Sequence, residues 1–142
     1  MNELRTKVEL FHKAFTLCER GEFEFELLGL FPTACCEYAS LLLATFLYDK
    51  FGVQDIEVVC GEGLESSYEL HTWLFIDGRN VDITAQQFDD DLPNVLVSTQ
   101  GGWHKRFRVT KREMFNREFM EEYASPEKEM LSRDYKLICS NA

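Results

Sequence analysis

The chain has 142 residues, 45% hydrophobic and 13% aromatic, which suits one domain with one core and is unlike a disordered composition. Its formal net charge of -10 disfavours a general nucleic-acid or anionic-membrane surface, because phosphates are repelled before contact. Five cysteines, an odd number, with no charged-then-apolar leader after Met1 and no apolar run of roughly 20 residues, predict a cytoplasmic protein with free thiols rather than a disulfide framework or a membrane span.

Asn2 is placed to cap a first helix that runs to about Arg20 and stops at Gly21. Leu4, Val8, Phe11, Phe15 and Cys18 recur at helical spacing and form its apolar face, which makes Cys18 core filler. His12 lies in this helix and is expected on its exposed side. Residues 22–30, EFEFELLGL, alternate only briefly and read as an extended segment or loop.

Thr33 is a candidate cap for a second helix, with Pro32 just outside it and Gly52 ending it after Phe51. Leu41, Leu42, Leu43, Ala44, Phe46, Leu47 and Tyr48 cover most of its circumference, so it is expected in the middle of the domain. The strands expected next are DIEVVCG (55–61), with Ile56, Val58 and Cys60 on one face, and YELHTWLFI (68–76), after the loop GEGLESS (61–67). Asp77-Gly78 is a hairpin signal leading to RNVDIT (79–84). NVLVS (94–98) and RFRV (106–109) read as further strands. Thr110 with Glu113 makes a capping box for a helix to about Ala124, stopped before Pro126. The last residues, with Leu137 and Ile138, are expected to form a strand or trail off.

This order predicts an α+β fold, one domain over residues 1–142, with a central buried helix packed on an antiparallel sheet. It lacks the strand-helix alternation and Gly-rich loop of a doubly wound nucleotide-binding fold.

If Asp77 and Gly78 form a two-residue loop, Ile76 pairs with Arg79, Trp73 with Asp82 and His71 with Thr84. His71, Trp73 and Phe75 then share a face with Asn80, Asp82 and Thr84, because side chains alternate along a strand. Asp82 is diagonal to His71, roughly 7–8 Å away at the backbone and within reach of a polar side chain. A carboxylate there can hold an imidazole tautomer and stabilise its charged form. With Thr33 as cap, Cys35 and Cys36 fall in the first helical turn, where unpaired N–H groups and the helix dipole favour the thiolate. A histidine brought close would lower the thiol pKa further and act as base and acid.

CCEYASLLLATFLYDKFG followed by ELHTWLFIDGRNVDIT resembles the transglutaminase-like branch of the papain-like cysteine-enzyme superfamily. In that branch the nucleophile opens a buried helix ending at glycine, a strand carries His and an aromatic, and a hairpin leads to Asp. The matching elements are Cys35 or Cys36, Gly52, His71 with Trp73, Asp77-Gly78, Asp82 and Thr84. The FP at 31–32 and DITAQQF at 82–88 also resemble small bacterial proteins of this type. The resemblance covers roughly residues 31–88. It implies a Cys-His-Asp triad for acyl transfer or hydrolysis on a protein or peptide-like amide, with no cofactor.

The spacing to Gly52 favours Cys36 over Cys35 as nucleophile. A Cys35–Cys36 disulfide would be strained, and no second cysteine pair or histidine pair has zinc-ligand spacing, so no metal is expected. The backbone N–H of Cys36 is the default oxyanion donor, and no upstream side-chain donor is evident. Gln86 and Gln87 are candidates to line the cleft, or else a surface turn. GGWHKRF (101–107) suggests a lid or platform, although Trp103 fits a core anchor and His104 a surface residue. Lys105, Arg106, Arg108, Lys111 and Arg112 read as a solvated face that balances the acids. Asp89-Asp90-Asp91 reads as a solvated turn, since the later spacing of a calcium loop is missing. The competing reading is a catalytically silent member of the fold that binds a partner through its acidic surface.

Overall fold

The structure, a computed structural model, describes residues 2–66, 68–99 and 101–142. Among the described residues the fold is α+β, with three α-helices and one five-stranded antiparallel sheet. Helix α1 is Asn2–Leu17, α2 is Cys36–Phe51 and α3 is Glu127–Cys139. The strands are β1 (Glu57–Gly63), β2 (Leu70–Ile76), β3 (Arg79–Asp82), β4 (Leu96–Thr99) and β5 (Phe107–Met114), in the spatial order β4-β3-β2-β1-β5. Among the described residues no helix is long and apolar enough to cross a membrane.

Helix α1 buries the face that its spacing predicts: Val8, Phe11 and Phe15 are in the core, with Cys18 just beyond its end. The cap expected at Asn2 lies outside the described side chains. The helix ends at Leu17 rather than near Arg20, and residues 20–30 wind into two short 3-10 helices, Arg20–Glu22 and Glu26–Leu30, instead of an extended segment. Leu28, fully buried, anchors the second of these, so packing rather than alternation decides that stretch. Asp134 of α3 fixes its entry by accepting the Glu24 and Phe25 N–H groups at 3.0 and 2.8 Å. His12 is half-buried rather than exposed, its ring tilted against Phe31 with centroids 5.7 Å apart.

Helix α2 does not start at a Thr33 cap. Ala34 has φ 61°, left-handed backbone that an α-helix cannot contain, so the helix begins after Cys35. Cys35 is the N-cap and Cys36 the first helical residue. The other end is as expected: Gly52 adopts φ 65° and its N–H caps the last turn. Ala39, Leu42, Leu43, Phe46 and Leu47 are buried, and the helix lies against β2 with Leu74 and Ile76 in the shared core.

The Asp77-Gly78 turn has φ values of 50° and 74°, the double left-handed geometry of a two-residue hairpin. The pairs are Ile76 with Arg79, Phe75 with Asn80 and Leu74 with Val81, the register derived from the turn. The sheet therefore has two unlike faces. Leu74, Ile76, Val81 and Ile83 meet the helices, while Val59, Trp73 and Phe107 form a smaller aromatic core opposite, flanked by Phe75, Phe88 and Trp103. Cys60, expected in the core, is only half-buried, with Sγ 3.6 Å from the Thr72 hydroxyl.

The helix expected from Thr110 does not form. Residues 107–114 pair with β1 along its length, so strand hydrogen bonds override the local capping pattern. Pro126 does not stop a helix but is the N-cap of α3, which takes the place of the strand or trailing end expected at the C-terminus and buries Leu131 and Ile138. Arg108, Lys111 and Arg112 pair with Glu62, Glu113 and Glu57, which agrees with a charge-balanced solvated face. Asp89 accepts the Asp91 N–H at 3.0 Å in a local turn.

Gly61 sits opposite His71 in the β1–β2 register. A Cβ there would lie 2.9 Å from the Phe107 Cβ and 3.2 Å from both the Arg108 carbonyl and Trp73 Cη2. Gly61→Ala is therefore expected to destabilise the domain by about 1–3 kcal/mol, as overpacking does. The urea unfolding midpoint at neutral pH checks this, and an unchanged midpoint would show that the aromatic core is loosely packed.

Candidate active site

Three elements converge on one point. The start of α2 carries Cys36, the start of β2 carries His71 and the end of β3 carries Asp82. His71 and Asp82 are each 1% exposed. The His71 Nε2–H donates to Asp82 Oδ2 at 2.6 Å, so the diagonal relation across the hairpin becomes a direct contact. Thr84 completes the other carboxylate oxygen, its backbone N–H donating to Oδ1 at 2.9 Å and its hydroxyl at 3.3 Å.

His71 Nε2 is committed to Asp82, so its interaction with the Cys36 sulfur falls to Nδ1. Nδ1 is buried and makes no hydrogen bond of good geometry, so the thiol contact is loose, as catalytic contacts often are before substrate binds. The neighbouring Thr72 backbone and hydroxyl groups also favour the charged form of Cys36. Burial pushes the Cys36 thiol up, but the hydrogen bond and charge of His71, with the Thr72 groups, outweigh it and hold the pKa below the ordinary thiol value. Burial likewise opposes the His71 charge, but the Asp82 carboxylate and the Cys36 thiolate prevail and push its pKa up to about 9. For Asp82, burial is more than reversed by the His71 charge and the two imidazole hydrogen bonds, and the carboxyl stays well below its usual range.

The two vicinal cysteines occupy opposite environments. Cys35 is 1% exposed, and burial followed by the adjacent Cys36 charge pushes its thiol up to about 12. Cys36 is half-buried. All five cysteines are free thiols. The first intrahelical bond of α2 runs from the Ala39 N–H to the Cys35 carbonyl at 2.8 Å. The N–H groups of Cys36, Glu37 and Tyr38 thus have no partner within the helix and suit a developing anion. A cavity of about 150 Å³ adjoins this turn, lined by Glu37, Leu41, Cys60, Phe119 and Tyr123 among others.

Trp73 packs beside the imidazole, with ring centroids 5.5 Å apart, and its indole N–H donates to Asn80 Oδ1 at 2.9 Å. Trp103 is half-buried on the same aromatic core, 6.2 Å from the His71 ring, and its indole N–H is buried without a partner. Gln86 donates to the Leu92 carbonyl at 2.7 Å, while the Gln87 side-chain nitrogen is buried without a partner. His104, expected on the surface, is 4% exposed and donates from Nε2 to Asp82 Oδ2 at 2.6 Å. Its sequence signal was its place beside Trp103 after two glycines, but nothing local connects it to an aspartate 22 residues earlier.

His71, Asp82 and His104 bring three metal-ligating atoms within 4.8 Å of one another. Their 2.6 Å Nε2–Oδ2 separations are hydrogen-bond distances. Two ligands of one tetrahedral zinc ion sit about 3.3 Å apart when each is about 2.0–2.1 Å from the metal. The arrangement therefore fits protons between these atoms better than a cation. Comparisons of the chain with protein-family models, with curated proteins and with solved structures return no match.

The raised His71 pKa has a stability consequence of definite sign. The proton on His71 stabilises the folded state fully below the unfolded histidine value of about 6.5, and this is lost as pH rises through about 9. Cys36 titrates in the opposite sense nearby and supplies part of the His71 shift, so Cys36→Ser leaves only the share that comes from Asp82. Unfolding free energy of that variant is expected to fall by roughly 2 kcal/mol between pH 6.5 and pH 9. Adding His71→Gln should flatten the profile. Urea titrations across that range decide it, and a flat Cys36→Ser profile would refute the coupling to Asp82.

Proposed function

We propose that the protein is a thiol-dependent acyl-transfer enzyme acting on an amide, with a core of the papain-like, transglutaminase-like type. The observation that carries the reading is the 2.6 Å His71–Asp82 hydrogen bond on an imidazole whose other nitrogen serves Cys36 at a helix N-terminus. The order of the elements also agrees with it: a nucleophile opening a buried helix, then His and Asp on a hairpin.

In this mechanism the Cys36 sulfur, as thiolate, attacks the substrate carbonyl carbon. The oxyanion forms near the free N–H groups of the first α2 turn. As the tetrahedral intermediate collapses, the C–N bond breaks and His71 Nδ1–H protonates the departing amine. A thioester to Cys36 remains. Water or a second amine attacks it, Nδ1 takes the nucleophile's proton, and the C–S bond breaks to restore the thiolate. Asp82 stays ionised throughout and holds the imidazole by Nε2, with Thr84 holding Asp82. Water as acceptor makes the protein a peptidase, amidase or deamidase. An amine makes it a transglutaminase-like acyltransferase. The acidic charge balance suits neither nucleic acid nor an anionic membrane as partner, and the resemblance implies a protein or peptide-like substrate.

One observation favours a second reading. His71 is closely packed by Trp73, Phe88 and Phe107, with ring centroids 4.9–5.5 Å away, as a satisfied core histidine would be. A silent member of the fold that binds a partner would keep this packing without using the thiol.

Iodoacetamide labelling at pH 6–7, with the modified residue identified by mass spectrometry, separates the two. The enzyme reading expects Cys36 to alkylate faster than the other four thiols, and His71→Ala to slow it at least about tenfold, since the thiolate fraction tracks the imidazolium. Cys35 is expected to stay unlabelled in the folded protein. Slow and equal labelling of all accessible thiols would leave the binding module.

A further inference from the structure

We infer that His104 is a positioning residue of the same site: it shares the Asp82 carboxylate oxygen with His71, and so sets the orientation and basicity of the imidazole that serves Cys36. The role in catalysis rests on the reading proposed above, whereas the shared carboxylate stands on its own geometry.

Asp82 Oδ2 accepts from His71 Nε2 and from His104 Nε2, each at 2.6 Å, and Oδ1 accepts twice from Thr84. These four donors fill the roughly four acceptor sites of an ionised carboxylate. The carboxylate brings no proton of its own, so both rings must carry hydrogen on Nε2. The lone pair of neutral His71 is thereby fixed on Nδ1, the side of Cys36. His104 Nδ1 is buried without a partner, which the Nε2–H tautomer tolerates best.

The fold delivers His104 to this point deliberately. After β4, Gly101 turns the chain with φ 87°, and a Cβ on Gly102 would lie 3.3 Å from both Ser98 Oγ and the Thr99 carbonyl. A short 3-10 helix, Trp103–Arg106, follows. It holds the His104 ring 4.6 Å from Trp73 and parallel to the His71 ring within 6°. The titratable groups facing His71 are Asp82 and Cys36, with His104 beyond the carboxylate. Its remaining neighbours are the uncharged rings of Trp73, Phe88, Trp103 and Phe107, and Arg106 lies over Trp103 at 4.5 Å.

The direction of the effect follows from the sharing. With one donor, Oδ2 would direct all its negative potential at His71 and make it more basic. A second donor draws part of that potential away. His71 then remains acidic enough to return its proton to a leaving amine.

Nitrogen-15 NMR of histidine-labelled protein tests this without thiol chemistry. The wild type is expected to show two strongly hydrogen-bonded, downfield Nε2–H protons. In His104→Phe one of them disappears, and the His71 titration midpoint rises by at least about 0.5 pH unit. His104→Gln, whose amide nitrogen can replace Nε2–H, should return the midpoint to the wild-type value. A single downfield proton in the wild type would overturn the inference. So would an unmoved His71 midpoint in folded His104→Phe, or a Gln variant that titrates like the Phe variant. If His104→Phe does not fold, His104→Leu carries the same expectation. Slow Cys36 alkylation with both protons present would remove the enzyme reading and leave the shared carboxylate standing, and fast alkylation with only one would do the reverse.

Discussion

The carboxylate of Asp82 is the constraint around which the rest is arranged. A charge 1% exposed has almost no water to solvate it, and an unpaired one would be expelled or neutralised. Here four donors from three places in the chain replace the water: His71 from β2, Thr84 just past β3 and His104 from the turn after β4. Each donor needs a specific backbone path. The two-residue turn at 77–78 fixes the parity of His71, the 3-10 helix Ala85–Gln87 begins at Thr84, and the Gly101-Gly102 pair folds the chain back over the sheet. A burial that would be costly alone becomes a lock on the local topology.

The lock also explains why the sheet has two cores. The face toward α2 is aliphatic, as expected where a helix packs on strands. The opposite face is built from Trp73, Phe88, Trp103 and Phe107, which surround the two imidazoles and keep solvent from the carboxylate. Low polarity there strengthens every hydrogen bond to Asp82. Burial by itself opposes the charged forms of His71 and Cys36, and it is their charged and hydrogen-bonding partners that overcome it. The aromatic core is thus part of the electrostatics of the site as well as its packing.

What could be read in the sequence divides along the range of the interactions. The hairpin was legible because Asp-Gly dictates a turn and the turn dictates parity, so His71 and Asp82 fell on one face by counting. The central helix was legible because its apolar residues outnumber what one face can hold. The helix expected from Thr110 failed because capping chemistry is local, while pairing of residues 107–114 with β1 is not. Helix α3 is hidden because its buried face carries a charge, Asp134, which accepts from the N–H groups of residues 24 and 25 as well as from Arg133 beside it. His104 is hidden for the same reason, its partner lying 22 residues away at the end of β3. For Asp134 and His104 a polar residue is satisfied at long range, and no short window of sequence shows that.

The start of α2 shows how much chemistry one residue of register can decide. Ala34 in the left-handed region delays the helix until Cys35 becomes its cap and Cys36 its first turn. Beginning at the Thr33 cap, both sulfurs would have entered the first turn and felt the helix dipole in similar ways. With the observed start, the Cys35 side chain turns into the core, where burial keeps its proton, and Cys36 reaches the imidazole and the Thr72 groups. Two chemically identical neighbours are driven in opposite directions, one toward a thiol that stays protonated to about pH 12 and one toward a thiolate. The difference comes from where the helix begins, and that is set by a single non-glycine residue held at positive φ. A strained residue immediately before a reactive one is backbone geometry used to separate a nucleophile from its neighbour.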